Sequence, residues 1–503
     1  IVTISDTLNI AGGNVALNTG DTWNGSLTVN GGDLSLGIGQ TAAAASFTQT
    51  SGTTTIAADL AMNSNTSVTG GTLNINNNLT LNGGTVTSGD TNAKVVIADS
   101  ATFDIKGGTV TLDGGSANHE QVDWQGIVTL ENGGSLVLRH IYDASRDTTE
   151  TKNKTGVLNA LGGNLSIDNS TVLLGNGDTI ASAVNLTLTG NLVVNGSAQA
   201  TISNADTWTA GNITQTGGTL TLDGISTATG KTLNSSNGTL NILNNVTLAT
   251  ASDTIGADTT LVIGADNTLT IQNTSNTGVT VNAGDTWNGH ISQTGGYLTL
   301  NGRTETLDDD IQTYNLTGGT LKLTNSTLSL ETDDSLLSGG KVIIDPSNLV
   351  VANETDNHTV IDMTVNDSST LTVQGDGTTL TLDTGSLISY GTLNVGDGSN
   401  ESTLNVHNNA NVAQAVSVVL NENSIINLAG TAELTIDGTN DTWAGLINQT
   451  GGTLNIVGNN PKTGSLTATA GAIDISDNVT LNINKAADSI ASAAAITLGS
   501  NSI

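Results

Sequence analysis

The apolar residues of this chain come in short alternating pairs, and the pairs return. Gly12-Gly13 precede Val15 and Leu17, and Gly31-Gly32 precede Leu34 and Leu36. Ser51-Gly52 precede Thr54 and Ile56, and Gly70-Gly71 precede Leu73 and Ile75. Superposing windows of about twenty residues puts Val15, Leu34, Thr54 and Leu73 in one column, and Leu17, Leu36, Ile56 and Ile75 in the next. The pattern recurs at Leu220/Leu222, Leu240/Ile242, Leu261/Ile263, Leu321/Leu323, Val342/Ile344, Leu454/Ile456 and Ile473/Ile475. Alternation with period two marks strands, because successive side chains leave opposite faces of the backbone. The surrounding Thr suits strand surfaces, and Gly and Asn suit tight corners. No stretch carries a helical stripe over three turns.

Short strands and frequent corners in a repeat of this length describe one coil of a parallel β-helix. A single coil cannot bury its inward residues, so it is stable only when stacked on others. The expected fold is therefore all-β: a single elongated β-solenoid over 1–503. Right-handed crossovers dominate parallel connections, so a right-handed coil is expected. At the usual inter-strand spacing, about twenty-five coils would extend on the order of 120 Å.

A longer repeat lies over the short one. All the tryptophans sit in one phrase: Asp21-Thr22-Trp23-Asn24-Gly25, Val122-Asp123-Trp124-Gln125-Gly126, Asp206-Thr207-Trp208, Asp285-Thr286-Trp287-Asn288-Gly289 and Asp441-Thr442-Trp443-Ala444-Gly445. Three copies run on into Gln-Thr-Gly-Gly, at 215–218, 293–296 and 449–452. A ringless sixth copy is read at Asp367-Ser368-Ser369. The tryptophans are taken as structural markers of the repeat, each ring covering an apolar pair at a corner with its N–H bonded nearby. A row of exposed, sugar-binding rings is the rival reading.

Composition removes several functions. The 503 residues carry 45 Asp+Glu against 12 Lys+Arg, a formal charge of −33. Neutralising a nucleic-acid backbone needs clustered Lys and Arg, so a nucleic-acid partner is not expected. Adsorption to an anionic lipid surface is opposed for the same reason. The chain has no Cys, read either as compositional drift in a repeat built from few residue types or as suiting export through an oxidising compartment. Both ends fall in mid-pattern, at Ile1-Val2-Thr3-Ile4 and Ile496-Thr497-Leu498, as expected of a piece of a longer protein.

The segment Asp21-Thr22-Trp23-Asn24-Gly25-Ser26-Leu27-Thr28-Val29-Asn30-Gly31-Gly32-Asp33-Leu34-Ser35-Leu36-Gly37 resembles the autotransporter-associated β-strand repeat. Trp23 stands at that family's aromatic position, Gly25 at its following glycine and Gly31-Gly32 at its turn. The copy from Asp285 to Leu300 matches nearly as well. Trp replaces Tyr, Asp replaces Asn, and the copies are widely spaced. The resemblance implies the passenger domain of a Gram-negative autotransporter: an adhesin-like β-helix at the cell surface, exported through an outer-membrane β-barrel in a missing C-terminal region. It is specific for architecture and weak for ligand.

The search for chemistry finds little. His119, His140, His290, His358 and His407 have no second histidine or cysteine at metal-ligand spacing, so no metal site is expected. No phosphate loop, dinucleotide fingerprint or nucleophile elbow is present, and neither a cofactor nor a catalytic residue is assigned. Two stretches break the coil pattern and are read as loop excursions, at 139–156 and 303–314. The first holds Arg139, His140, Tyr142 and Arg146, the candidate binding residues for a partner or glycan. The second begins at Arg303 and carries Asp308-Asp309-Asp310, read as a charged surface loop rather than a calcium site. Thr-x-Thr runs that could bind ice do not hold one column along the sequence.

The expected role is a non-enzymatic extracellular adhesin or surface-fibre stalk that contacts a host or bacterial cell surface, a glycan or like rods. A polysaccharide-processing β-helix enzyme is one alternative. A self-associating filament is the other.

Overall fold

The computed structural model describes residues 1–37, 46–62, 66–89, 92–115, 121–131, 133–141, 155–168, 170–228, 230–272, 278–307, 313–330, 334–336, 340–344, 347–352, 357–360, 363–366, 368–383, 386–413, 416–437, 441–457, 464–475, 479, 481 and 488–500. Among these residues there is no helix, and the strands pair in parallel with the turn before and the turn after. The chain is an all-β parallel solenoid. It divides into two compact units, Ile1–Asn241 and Ile242–Ile503.

In the first unit the register puts Val15 against Leu34, Leu34 against Thr54 and Thr54 against Leu73. These are the residues that the Gly-Gly pattern aligns. All but Val15 are buried, Leu34 and Leu73 at 0–1% exposure. Each fully buried aliphatic side chain contributes about 1.5–3 kcal/mol of transfer free energy, collected only when the next turn is laid on top. Turn length varies widely. Thr7 pairs with Ser26, nineteen residues on, whereas Ile127 pairs with Val157, thirty residues on.

In the second unit the turns from Thr364 to Gln449 each pass through three sheets. Thr364–Val365, Thr370–Gln374 and Thr378–Leu382 make one turn, and Leu387–Ile388, Thr392–Val395 and Ser402–Val406 stack on them in order. The inward columns hold Val, Leu and Ile almost throughout, as in the run Leu330, Val351, Val373, Val395, Leu420.

That run ends on Trp443, which pairs with Leu420. The column of Trp443 therefore passes through Val373, so Ser369 does not stand in it; Asp367, which opens the sixth copy read in the sequence, lies outside the described residues. Ser369 belongs instead to a serine ladder: its hydroxyl accepts the Ser347 N–H, the Ser347 hydroxyl accepts the Ser326 N–H, and the Ser326 hydroxyl accepts the Arg303 N–H.

Candidate functional site

The tryptophan phrase is a corner clamp. All five rings are buried, at 0–7% exposure. The indole N–H of Trp23, Trp124, Trp287 and Trp443 donates to the carbonyl of the glycine two residues on, at 2.9–3.1 Å. Trp208 has no glycine there and donates to Gly211, at 3.2 Å. The glycine is required sterically: a Cβ at Gly25 would lie 1.8 Å from the Asp6 carbonyl oxygen, and one at Gly445 would lie 2.3 Å from that of Ser424.

The aspartate two residues before the ring joins successive turns. Asp21 accepts the N–H of Asn18 in its own corner and that of Val2 in the preceding turn, at 2.8 and 2.6 Å. Asp206 does the same with Ser203 and Leu186, and Asp285 with Asn282 and Leu261. The clamp does not need the ring. Asp178, in Asp178-Thr179-Ile180, accepts Gly175 and Leu158 N–H groups at 2.6 Å each. Asp334 and Asp488 accept the N–H of Tyr314 and Leu466. For Asp21 the two backbone donors hold the carboxyl below its usual range. At Asp285 burial outweighs the donors and pushes it up.

The glutamine that follows is also internal. Gln49, Gln215, Gln293 and Gln449 are fully buried. Each Nε2 donates to the carbonyl of the glycine three residues on, at 3.2–3.3 Å, and to a carbonyl of the next turn, at 2.8–3.0 Å. The buried tryptophans and glutamines and the corner aspartates Asp21, Asp206 and Asp285 are therefore committed to shaping corners and holding turns together.

Among the candidate binding residues, Arg139 ends the strand Gly134–Arg139, and His140 follows with φ of 50°. Arg139 pairs through Nε and Nη2 with Asp168, at 2.9 Å each, and His140 Nδ1 lies 2.9 Å from Asp113. Register makes Asp113, Arg139 and Asp168 one ladder across successive turns, and the Thr189 hydroxyl donates to Asp168 at 2.9 Å. That hydroxyl, and then Arg139, hold the Asp168 carboxyl below its usual range against an opposing effect of burial. The structure thus brings Arg139 and His140 together, each facing a carboxylate. Tyr142 and Arg146 lie outside the described residues, as do 308–312 with their three aspartates.

Arg303 is not part of a solvated loop. It is 7% exposed, its Nη1 donates to the carbonyls of Asn282 and Asp285 at 2.9 Å, and its guanidinium lies 5.8 Å from the Trp287 ring centroid. Thr304–Thr306 beside it pairs with Thr327–Leu330.

Two open grooves lie among the described residues. One, of about 470 Å³ in the second unit, is lined by Glu401, Glu422, Asn423, Ser424 and the corner glycines Gly445 and Gly464. The other, of about 260 Å³ in the first unit, is lined by Trp208, Lys231, Asp206 and Asn204. No lysine, arginine, histidine or tyrosine lines the first. Among the described residues no group of three or more His, Asp or Glu is placed to hold a metal ion, and no helix is long and apolar enough to cross a membrane.

No protein-family model and no curated protein matches this chain. Geometry shows an outward feature that periodicity along the sequence does not. On one face of the first unit, Asn9, Thr28, Thr48, Ser67, Thr85, Thr109, Ser135, Asn164 and Asn185 stand in one column. Thr87, Thr111, Val137, Ser166, Thr187 and Thr207 form a second column two residues along the strands. None of these side chains is buried. The signal was a Thr, Ser or Asn beside an apolar residue in every turn, but spacings of 18 to 29 residues hid its alignment.

Proposed function

We propose that this chain is a non-enzymatic, surface-displayed stalk and adhesion module of the autotransporter-passenger kind, exposed outside a Gram-negative cell. One observation carries the reading: the tryptophan rings are buried in their corners, and Asp21, Asp206, Asp285 and the buried glutamines bond from one turn to the next. What they leave outward is a repetitive lattice of hydroxyl and amide groups. Within each unit, parallel turns bonded to the turn before and the turn after make a stiff stack, a property that suits display away from a surface. Contacts with a cell surface or glycan would use the outer polar columns and the Asp113–Arg139–Asp168 ladder. This reading implies export through an outer-membrane β-barrel.

The enzymatic alternative has one feature in its favour, the two glutamates of the 470 Å³ groove, since paired carboxylates are the usual machinery of glycoside cleavage. The test is a panel of polysaccharides scored for retention and for release of reducing ends. Retention without release is expected. Release that disappears in Glu401→Gln or Glu422→Gln would replace the adhesion reading with the enzymatic one.

A further inference from the structure

We propose that the hydroxyl-and-amide face of the first unit, centred on Thr85, Thr109, Ser135, Asn164 and Asn185, binds an uncharged polysaccharide chain lying along the stacking direction. The inference rests on the adhesion reading and names its ligand class and surface.

Three properties of the face point to that occupant. The first is period. The column delivers one hydroxyl or amide per turn, through nine turns from Asn9 to Asn185. Neighbouring turns are roughly 4.8 Å apart, a spacing of the order of one pyranose ring in an extended chain. A polymer whose hydroxyls recur at each ring meets a fresh donor and acceptor at each step. A globular partner would not need that repetition.

The second is charge. The chain carries −33 overall, yet neither column contains an acidic or basic residue. An anionic polymer is repelled by the rest of the chain, and a cationic one finds no carboxylate within the two columns. A neutral chain is indifferent to both. The third is hydrogen-bonding capacity. Thr, Ser and Asn both donate and accept, as sugar hydroxyls do. The Asn185 amide already bonds the Asn164 amide oxygen at 3.2 Å, so part of the array is ordered before a ligand arrives. At one edge the second column borders the Asp113–Arg139–Asp168 ladder, whose ionised groups make stronger hydrogen bonds to sugar hydroxyls.

A flat hydroxyl array could instead order ice, or meet the same face of a second copy. Val137 interrupts the second column and asparagines occupy three of the nine positions in the first. A lattice match to ice needs more uniformity than that. The charged edge also favours sugar over ice.

The experiment uses the full chain and the variant Thr85→Val/Thr109→Val/Thr111→Val, which keeps β-branched shape while deleting three hydroxyls. The control is Thr372→Val on the second unit. Affinity electrophoresis and pull-down are run on insoluble β-glucan, chitin and starch, with polygalacturonate as the anionic comparison. Circular dichroism confirms that each variant is folded, and Asn164→Asp/Thr109→Glu tests the same face by adding charge. The expected result is retention on at least one neutral polymer, at least tenfold weaker for the triple-valine and charged variants and unchanged for Thr372→Val. Retention that the triple-valine and charged variants preserve would overturn the assignment of this face and leave the adhesion reading standing. Preferential retention on polygalacturonate would overturn the neutral-ligand class. No retention on any polymer would overturn the proposal, and if whole-cell adhesion is then also absent the adhesion reading falls with it. Thermal hysteresis, or self-association lost in the triple-valine variant, would reassign the face to ice or to a second copy.

Discussion

At the residue scale, the buried glutamines show how one side chain can be satisfied to different degrees in equivalent corners. Gln215 Oε1 accepts the Ser235 hydroxyl at 2.8 Å, and Gln293 Oε1 accepts the Tyr314 hydroxyl at 2.6 Å. The Oε1 atoms of Gln49 and Gln449 are buried and have no hydrogen-bond donor. Gln449 is paired in register with Ala468, a fully buried methyl. Leaving a buried acceptor unmet costs about 1–3 kcal/mol, and a formed hydrogen bond returns about 1 kcal/mol net. Ala468→Ser places a hydroxyl in the next turn, as Ser235 does beside Gln215. It should raise stability by about 1 kcal/mol, read as a higher thermal midpoint. A lower midpoint would show that the corner cannot admit the added oxygen.

At the scale of elements, the tryptophan phrase proves to be one variant of a broader corner. Its most widespread member is the aspartate, replaced by Val122 in the Trp124 copy but present with Ile180 in place of the ring at Asp178 and with Leu336 at Asp334. The sequence made the strands legible because Val15, Leu34, Thr54 and Leu73 follow a Gly-Gly or Ser-Gly pair at a nearly even spacing. The clamps were not legible: an Asp-Thr dipeptide without a ring looks like any polar corner, and its partner N–H lies a whole turn away. The Asp113–Arg139–Asp168 ladder was half legible. Arg139 and His140 stood out as a rare basic pair, but the carboxylates opposite them are 26 to 29 residues distant. That ladder has a pH signature. Asp168 is held below its usual range by Thr189 and then Arg139. Its stabilising contribution is complete above the unfolded carboxyl value, about 3.9, and is lost as pH falls through the lower folded value. The gap in thermal midpoint between the parent chain and Asp168→Asn should therefore narrow as pH drops from about 5 to about 2. A gap constant across that range would mean that the Asp168 charge contributes nothing to the ladder.

At the scale of the whole molecule, charge is the dominant quantity. With 45 acidic residues against 12 Lys+Arg, folding concentrates like charges that the unfolded chain keeps further apart. Few are neutralised locally. Lys106 bridges Asp104 and Glu131 at 3.2 and 3.3 Å, and Arg139 pairs with Asp168. Added salt screens the remainder, since the Debye length falls from about 30 Å at 0.01 M to about 8 Å at 0.15 M. The thermal midpoint should rise with sodium chloride over that interval, measured by scanning calorimetry. A falling midpoint would mean that the few attractive pairs outweigh the general repulsion. The −33 total is legible from composition. The uncharged face within it is not, because it exists only once turns of different length are laid in register.

The tolerance for unequal turns has a consequence for growth and engineering. Ile127–Leu130 and Val157–Ala160 pair residue for residue at an offset of thirty positions, where Thr7 and Ser26 pair at an offset of nineteen. What must be kept is the inward pair and the clamp, while the number of residues spent between them is free. Foreign segments spliced into such corners would leave the ladder beneath undisturbed, so a chain of this design can acquire new cargo without renegotiating its fold.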